Sequence, residues 1–333
     1  MPIISVFNNK GGVGKTTYMY HIAHVLAKKG KRILLVDLDS QCNLSAYCLS
    51  FSKLESEWNI DGSSIWNIVL PVATGMGDFK KCNPIQFSKY YKNIFLVPGD
   101  IAFSNFEDQL GDTWTRARGG DERSIRVQTA IYRYIKWAIS EFNIDITMLD
   151  LGPNLGSINR CALASSDFFI VPMAPDLFSI RGSENLGNKL LLWGNEWSQC
   201  SSIWKDKTIE IPSARPVFIG YITQKYNIRS RSKDGMTKGW GEFNSKIDCT
   251  IMKFIVEKLE STNQIYNWED GKWKLGQIPN LNSLIPYSQK VRKPVFDCGS
   301  RDGLTGAHIS RARQSINIFE PIANKIIMVC PNN

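Results

Sequence analysis

The sequence predicts an α/β fold, in which a mostly parallel, twisted sheet carries helices on both faces. Short apolar runs, typical of buried strands, recur at residues 3–7, 31–37, 93–99, 144–150, 168–172, 216–222 and 275–279. Helical repeats of apolar residues lie between several of these runs, as the crossovers of a parallel sheet require. The chain of 333 residues, with 43% hydrophobic and 21% charged residues, has an ordinary globular composition.

Composition and charge argue against several classes of protein. No apolar run approaches the roughly 20 residues that a membrane-spanning helix needs, and no signal peptide is visible. The eight cysteines are scattered without a C-x-x-C pair, which favours free thiols over a disulfide framework or a zinc site. The net charge of +9 permits an acidic partner such as DNA without indicating one. We therefore expect a cytoplasmic protein.

The first predicted strand leads directly into a glycine-rich loop. Residues 8–17 read N-N-K-G-G-V-G-K-T-T, and an apolar stripe from Met19 to Leu26 predicts that a helix follows. Strand, glycine loop and helix in this order are the context of a phosphate-binding loop, where backbone N–H groups and the helix dipole hold the anion. The sequence therefore predicts a P-loop NTPase fold. The predicted nucleotide-binding residues are Gly11, Gly12, Val13, Gly14, Lys15, Thr16 and Thr17.

Three side chains of this loop have distinct predicted roles. Lys15 would reach the β- and γ-phosphates, and the Thr16 hydroxyl would ligate Mg²⁺. Thr17 would donate to the α-phosphate. The alternative, a chance glycine turn, is disfavoured because the motif and its flanking elements agree.

The loop departs from the common pattern, because Asn9 stands where a glycine is usual and Lys10 begins the loop instead. The string K-G-G-V-G-K-T-T resembles the deviant Walker A motif of the ParA/MinD family, which includes partition ATPases and the nitrogenase iron protein. The resemblance implies a nucleotide-sandwich homodimer, in which Lys10 reaches the partner's nucleotide as an arginine finger does. The alternative for Lys10 is an ordinary solvated loop charge.

Two aspartates follow the second apolar run. Residues 37–45 resemble the family segment D-x-D-P-Q-x-N, with Ser40 in place of the proline. The resemblance implies that Asp39 orients or activates the water that attacks the γ-phosphate, and that Asp37 supports the magnesium shell. The alternative is that both aspartates merely cap the next element.

A third aspartate, Asp150, ends the apolar run 144–150 at the Walker B position, where it would hold Mg²⁺ through a water molecule. Residues 150–156 resemble the family's D-x-P-P-S-L-G, which senses the γ-phosphate. Gly152 replaces one proline of that segment and Asn154 replaces the serine. The resemblance thereby adds Gly152 to the expected nucleotide contacts, and it continues through residues 157–182.

The family pattern is weakest in two stretches. We expect residues 1–333 to form a single ParA-like ATPase domain, with divergent insertions at about 51–122 and 190–245. The tryptophans at 58, 66 and 114 favour core packing over a partner surface. The arginines at 116, 118 and 123 beside Gly119-Gly120 suggest a mobile basic loop.

The last third of the chain is less informative about function. The end of the strand at 216–222 approaches the adenine in the family, which implies a contact from Asn227. Residues 225–241 are basic and contain aromatic residues, so they could grip a phosphate backbone or form a solvated loop. The apolar stripe from Phe319 to Ile326 predicts a packed terminal helix. Pro321 interrupts the pattern of a membrane-binding helix, and residues 330–333 carry no basic residue, which disfavours membrane binding.

The leading hypothesis is a ParA-like ATPase that acts as a dimerisation switch. ATP and Mg²⁺ would drive homodimerisation, the dimer would bind DNA non-specifically or a protein partner, and slow hydrolysis would reset it. One alternative is a regulatory ATPase of a multi-protein assembly, on a mobile element or in a defence system, without DNA binding. A second alternative is a metabolic synthetase that phosphorylates a small carboxylate held near Asp39 and Lys10.

Overall fold

The computed structural model describes residues 1–206, 208–226 and 238–330. Each of the seven apolar runs forms a strand: β1 Ile3–Val6, β2 Ile33–Asp37, β3 Ile94–Val97, β4 Ile146–Asp150, β5 Phe168–Met173, β6 Val217–Tyr226 and β7 Lys274–Pro279. The strands make one parallel sheet in the order β3-β2-β4-β1-β5-β6-β7. The predicted α/β architecture is confirmed.

Helices cover both faces of this sheet. They are α1 Lys15–Lys28, α2 Asn43–Cys48, α3 Phe51–Trp58, α4 Ile65–Thr74, α5 Phe106–Arg118, α6 Glu122–Phe142, α7 Ser157–Ala164, α8 Leu177–Glu184, α9 Leu186–Ile203, α10 Lys238–Ile251, α11 Glu257–Leu259, α12 Leu284–Val291, α13 Ala307–Gln314 and α14 Ile316–Val329. Helices α1, α2 and α14 pack on one face, and α4 to α7 with α9 pack on the other. Along β1, Ile4 and Val6 face the first layer while Ile3 faces the second, as strand alternation requires.

The parallel arrangement brings the predicted site residues to one edge. Val6 and Asp37, the last residues of β1 and β2, are both register partners of Asp150 at the end of β4. The glycine loop that follows β1 therefore begins beside both aspartates. Carboxyl ends of parallel strands are where ligands bind in such sheets.

The divergent stretch 51–122 is built into the fold, because its strand β3 forms an edge of the sheet beside β2. Trp114 is buried, while Trp58 and Trp66 are half-buried and packed against the core. The Trp58 indole also donates a hydrogen bond to the Gly99 carbonyl (2.9 Å). The prediction that these tryptophans serve the core is confirmed.

The predicted mobile basic loop is wrong. Arg116 and Arg118 lie in the last turn of α5, and Arg123 lies in the first turn of α6. The two helices are joined by a tight turn, in which Gly120 has a φ of 84°. Asp121 then caps α6 by accepting a hydrogen bond from the Ser124 N–H (2.9 Å). Helix capping therefore orders a segment whose composition suggested a loop.

The predicted packed terminal helix is confirmed as α14, which runs continuously across Pro321. Its stripe of Phe319, Ile322, Ala323 and Ile326 is fully buried, which offsets the one backbone hydrogen bond that a proline removes. A Cβ on Gly276 of β7 would lie 2.6 Å from Ile322, so glycine permits this close packing. Across the described ranges, no helix is long and apolar enough to cross a membrane.

Two histidines of α1 are buried and structural. The His21 ring hydrogen-bonds through Nδ1 to the Thr17 carbonyl (2.7 Å) and through Nε2 accepts the Val295 N–H (3.1 Å). His24 hydrogen-bonds through Nδ1 to the Tyr20 carbonyl (2.7 Å). Burial lowers the pKa of His21 to about 3 and that of His24 to about 4. Both imidazoles are therefore neutral in the folded protein at neutral pH.

We expect His24→Leu to change how stability depends on pH. The unfolded chain binds a proton on His24 below about pH 6.5, whereas the folded protein does so only near pH 4. The free energy of unfolding of the wild type should therefore fall by about 2 kcal/mol relative to the variant between pH 7 and pH 5. Urea unfolding of both proteins at the two pH values measures the difference.

The comparison isolates the imidazole, because every carboxylate is the same in both proteins. Exposed His308 offers a matched control, since His308→Leu should give no such slope. If the difference in unfolding free energy between wild type and His24→Leu is the same at pH 7 and pH 5, the lowered pKa of His24 is contradicted.

Candidate functional site

The glycine loop after β1 has the conformation of an anion-binding nest. Gly12 and Gly14 have φ values of 71° and 86°, which favour glycine, and Gly14 immediately precedes α1. Gln224 at the end of β6 supports the loop from below, because its amide nitrogen donates to the carbonyls of Val13 (3.1 Å) and Gly14 (3.2 Å). A Cβ on Gly14 would lie 2.2 Å from that amide, so no side chain fits there.

Lys15 is buried at the first position of α1, beneath the loop. Its ammonium donates to the carbonyls of Asn8 (3.3 Å) and Lys10 (3.2 Å), so the side chain folds back against the loop. Burial lowers the pKa of Lys15, and the nearby carboxylates of Asp150 and Asp39 oppose that shift. A buried ammonium at this position is suited to bind an anion of high charge.

Thr16 and Asp150 form a pair that fits a divalent cation. The Thr16 hydroxyl donates to Asp150 Oδ2 (2.8 Å), while the buried Asp150 Oδ1 has no hydrogen-bond partner among the described residues. Burial and then the charge of Asp37 raise the pKa of Asp150. A hydroxyl and an unpaired carboxylate oxygen are ligands that Mg²⁺ accepts, directly or through water. The residues present therefore fit the predicted ion.

Asp37 is fully buried and ties three elements together. Its Oδ2 accepts hydrogen bonds from the Ser45 N–H (2.8 Å) and hydroxyl (2.6 Å), and the Ser45 hydroxyl accepts one from the Gly99 N–H (2.8 Å). Burial raises the pKa of Asp37. The carboxylate thus holds α2 and the end of β3 in place, and its support of a magnesium shell stays a prediction.

Asp39 faces the loop that follows β4. Its Oδ1 accepts the Gln41 N–H (3.0 Å), and a Cβ on Gly152 would lie 3.5 Å from that oxygen. Asp39 and the segment expected to sense the γ-phosphate therefore stand opposite each other. The carboxylate is only partly buried, which leaves it accessible to water.

These residues surround a cavity of about 650 Å³. Asp39, Gln41 and the predicted P-loop residues other than Val13 line it, whereas Val13, Asp37, Asp150 and Gly152 lie outside the lining. The lining also includes residues that sequence reasoning missed, among them Tyr47, Gln224, Asn280, Leu281, Asn282 and Gln289. A usable signal existed for some of them, because Gln224 and Asn280 lie at the carboxyl ends of β6 and β7. Asn227 and most of the basic segment 225–241, namely residues 227–237, lie outside the described residues.

Lys10 does not line this cavity. Its ammonium forms an ion pair with Asp176 of the same chain and lies 5.9 Å from the centre of the Phe178 ring. Asp176 also caps α8 by accepting the Ser179 N–H (2.9 Å). Nothing in the sequence indicated this pair, whose members are 166 residues apart.

Similarity to known proteins identifies the family. Residues 1–196 match a family model described as an AAA domain, to which the chain belongs. A ParA family protein of Mycoplasma genitalium is 30% identical over 282 residues, which cover 80% of this chain and 97% of that protein. The chain is a ParA-like P-loop ATPase. The family predicted from the sequence is confirmed.

Solved structures resemble this ParA-like ATPase in fold. A Cyanothece McdA in complex with ATP superposes with a TM-score of 0.61 at 13% identity, covering 100% of this chain and 98% of that one. The ParA of pNOB8, bound to nonspecific DNA, superposes with a TM-score of 0.57 at 18% identity, covering 98% and 97%. The family and the fold are thereby established, whereas the roles given to individual residues remain predictions.

Proposed function

We propose that this ParA-like ATPase is a switch in which ATP and Mg²⁺ hold two copies together and hydrolysis releases them. The observation that carries the proposal is the position of Lys10. Its neighbours Gly11 and Gly12 line the cavity, yet its own ammonium pairs with Asp176, and neither Lys10 nor Asp176 lines the cavity. A lysine of the phosphate loop that leaves its own cavity is placed to serve the nucleotide of a second copy.

The remaining loop residues account for binding within one copy. The N–H groups of the loop and the ammonium of Lys15 would hold the phosphates, and Gln224 keeps the loop in its anion-binding shape. Mg²⁺, held by Thr16 and through water by Asp150, would neutralise charge on the β- and γ-phosphates. Asp39, whose carboxylate lies beside Gly152, would orient the attacking water.

We further propose that each copy acts as a single domain and hydrolyses ATP slowly by itself, because a catalytic lysine from the second copy must first arrive. DNA is the partner we favour for the dimer. The net charge of +9 suits a polyanion, and the pNOB8 ParA of similar fold is bound to nonspecific DNA. Dimerisation would strengthen such binding, because two weak surfaces then act together.

The test is the mass in solution with ADP and with a non-hydrolysable ATP analogue, measured by light scattering. We expect the wild type to be monomeric with ADP and dimeric with the analogue. Lys10→Ala should stay monomeric in both while still binding nucleotide. The matched control is Lys189→Ala, which removes an exposed lysine of α9 and should behave as wild type.

A random DNA duplex added to the same samples tests the partner. Only the analogue-bound dimer should retain DNA, and raising the salt concentration should release it. A dimer that ignores DNA would favour a protein partner, as in the regulatory alternative. A wild type that remains monomeric with the analogue would overturn both the switch and the role of Lys10.

A further inference from the structure

The loop at 152–156, which faces Asp39, is bound to the helix that follows it. The Asn159 side chain of α7 donates to the carbonyls of Gly152 (2.8 Å) and Asn154 (2.6 Å). The Asn154 side chain in turn accepts the Gly156 N–H (2.9 Å). Because these bonds link both ends of the loop to α7, a change in the loop must move the beginning of α7.

Glu107 of α5 holds the beginning of α7. Its carboxylate accepts hydrogen bonds from the N–H groups of Ser157 and Ile158, the latter at 3.0 Å. A carboxylate at this place satisfies unpaired N–H groups and complements the helix dipole. A Cβ on Gly156 would lie 2.3 Å from Glu107 Oε1, so glycine at 156 is what allows the approach.

A second set of contacts fastens α7 to α5, and α5 to α9. The Arg160 guanidinium of α7 lies 4.1 Å from the ring centre of Trp114 and donates to the Leu110 carbonyl (3.0 Å). The Trp114 indole donates to Glu196 (2.8 Å) and stacks on Trp197 at 5.3 Å. Helices α5 and α9 come from the two stretches in which the family pattern is weakest.

We propose that Glu107 is a positioning residue for ATP hydrolysis. By holding α7, it sets the loop at 152–156 opposite Asp39 and transmits movement of that loop to α5 and α9. This inference rests on the proposed function, in which that loop senses the γ-phosphate. The positions of α5 and α9 would then depend on whether ATP or ADP is bound.

The test compares Glu107→Ala, Glu107→Gln and the control Asp108→Ala, which removes an exposed carboxylate from the same turn of α5. Glu107→Ala should lower kcat about tenfold or more, because small misplacements of reacting groups are costly, and should leave ADP affinity within about twofold. Glu107→Gln keeps one acceptor oxygen for the two N–H groups and should therefore retain more of kcat than Glu107→Ala does. Asp108→Ala should match the wild type.

Tryptophan fluorescence separates positioning from simple stability. The contribution of Trp114 is the difference in emission between each protein and its Trp114→Phe derivative. This contribution should change between the ADP and ATP-analogue states in wild type and stay constant in Glu107→Ala. A purely structural Glu107 would lower the melting temperature yet leave kcat and this signal intact, which would overturn the proposal. If Glu107→Ala does not fold, Gly156→Ala, whose Cβ would displace the carboxylate, should give the same loss.

Failure of this inference is distinguishable from failure of the proposed function. If the wild type hydrolyses ATP and Glu107→Ala has the same kcat and fluorescence change, the role of Glu107 is contradicted and the proposed function is not. If the wild type neither hydrolyses ATP nor dimerises with the analogue, both the proposed function and the role of Glu107 are contradicted.

Discussion

Asp39→Ala is expected to lower the rate of ATP hydrolysis at least about a hundredfold while ATP still binds, because a positioned acid or base contributes that much or more. Asp39 lines the cavity, and its carboxylate accepts a hydrogen bond from the nearby Gln41 N–H, so its removal spares the phosphate loop. With hydrolysis blocked, the ATP-bound dimer should accumulate. Phosphate release and light scattering with ATP measure the two effects.

The control for this variant is Asp61→Ala, which removes an exposed carboxylate remote from the cavity and should hydrolyse ATP as wild type does. An Asp39→Ala protein with undiminished phosphate release would remove Asp39 from the chemistry. One that loses ATP binding together with hydrolysis would instead assign Asp39 to the binding of nucleotide.

Lys15→Gln should strongly weaken nucleotide binding itself. Glutamine keeps a polar side chain at this buried position while it removes the ammonium that contacts the Asn8 and Lys10 carbonyls, so the positive charge is lost. Each charge-assisted hydrogen bond to phosphate is worth about 1.5–3 kcal/mol. Loss of two such bonds weakens ATP binding by about a hundredfold or more. Calorimetric titration with ATP and ADP measures the loss.

Lys28→Gln removes a half-exposed lysine from the last turn of the same helix and is the matched control. It should bind both nucleotides as wild type does. If Lys15→Gln bound ATP normally, the phosphate site would have to lie elsewhere. The two main variants should therefore separate binding, which fails only in Lys15→Gln, from hydrolysis, which fails in both.

Predictions succeeded where the determining signal is local in sequence. The run from Ile33 to Asp37 is apolar on both faces, so it suits a strand buried between two helical layers. The glycines at 12 and 14 adopt the positive φ that the loop motif demands. Asp37 and Asp150 meet because both end strands of one parallel sheet. Motif and strand pattern together were enough to identify the family.

Predictions failed where distant contacts or capping decide the outcome. Arg116 and Arg118 looked like loop residues by composition, but burial of Trp114 and Ala117 keeps this segment in α5. Pro321 is locally unfavourable in a helix, but buried apolar side chains keep α14 continuous across it. Local propensities are worth about 1–3 kcal/mol per residue, which tertiary packing can exceed.

The sequence by itself determined the fold class, the seven strands and the phosphate loop, because strand burial and glycine geometry depend on short stretches of chain. Only the tertiary structure decided which side chains complete the site. Gln224 supports the loop from β6, Lys10 pairs with Asp176, and Glu107 holds the beginning of α7 from α5. These partners are 50 or more residues apart, as the 51 residues between Glu107 and Ile158 illustrate, so no local pattern encodes them.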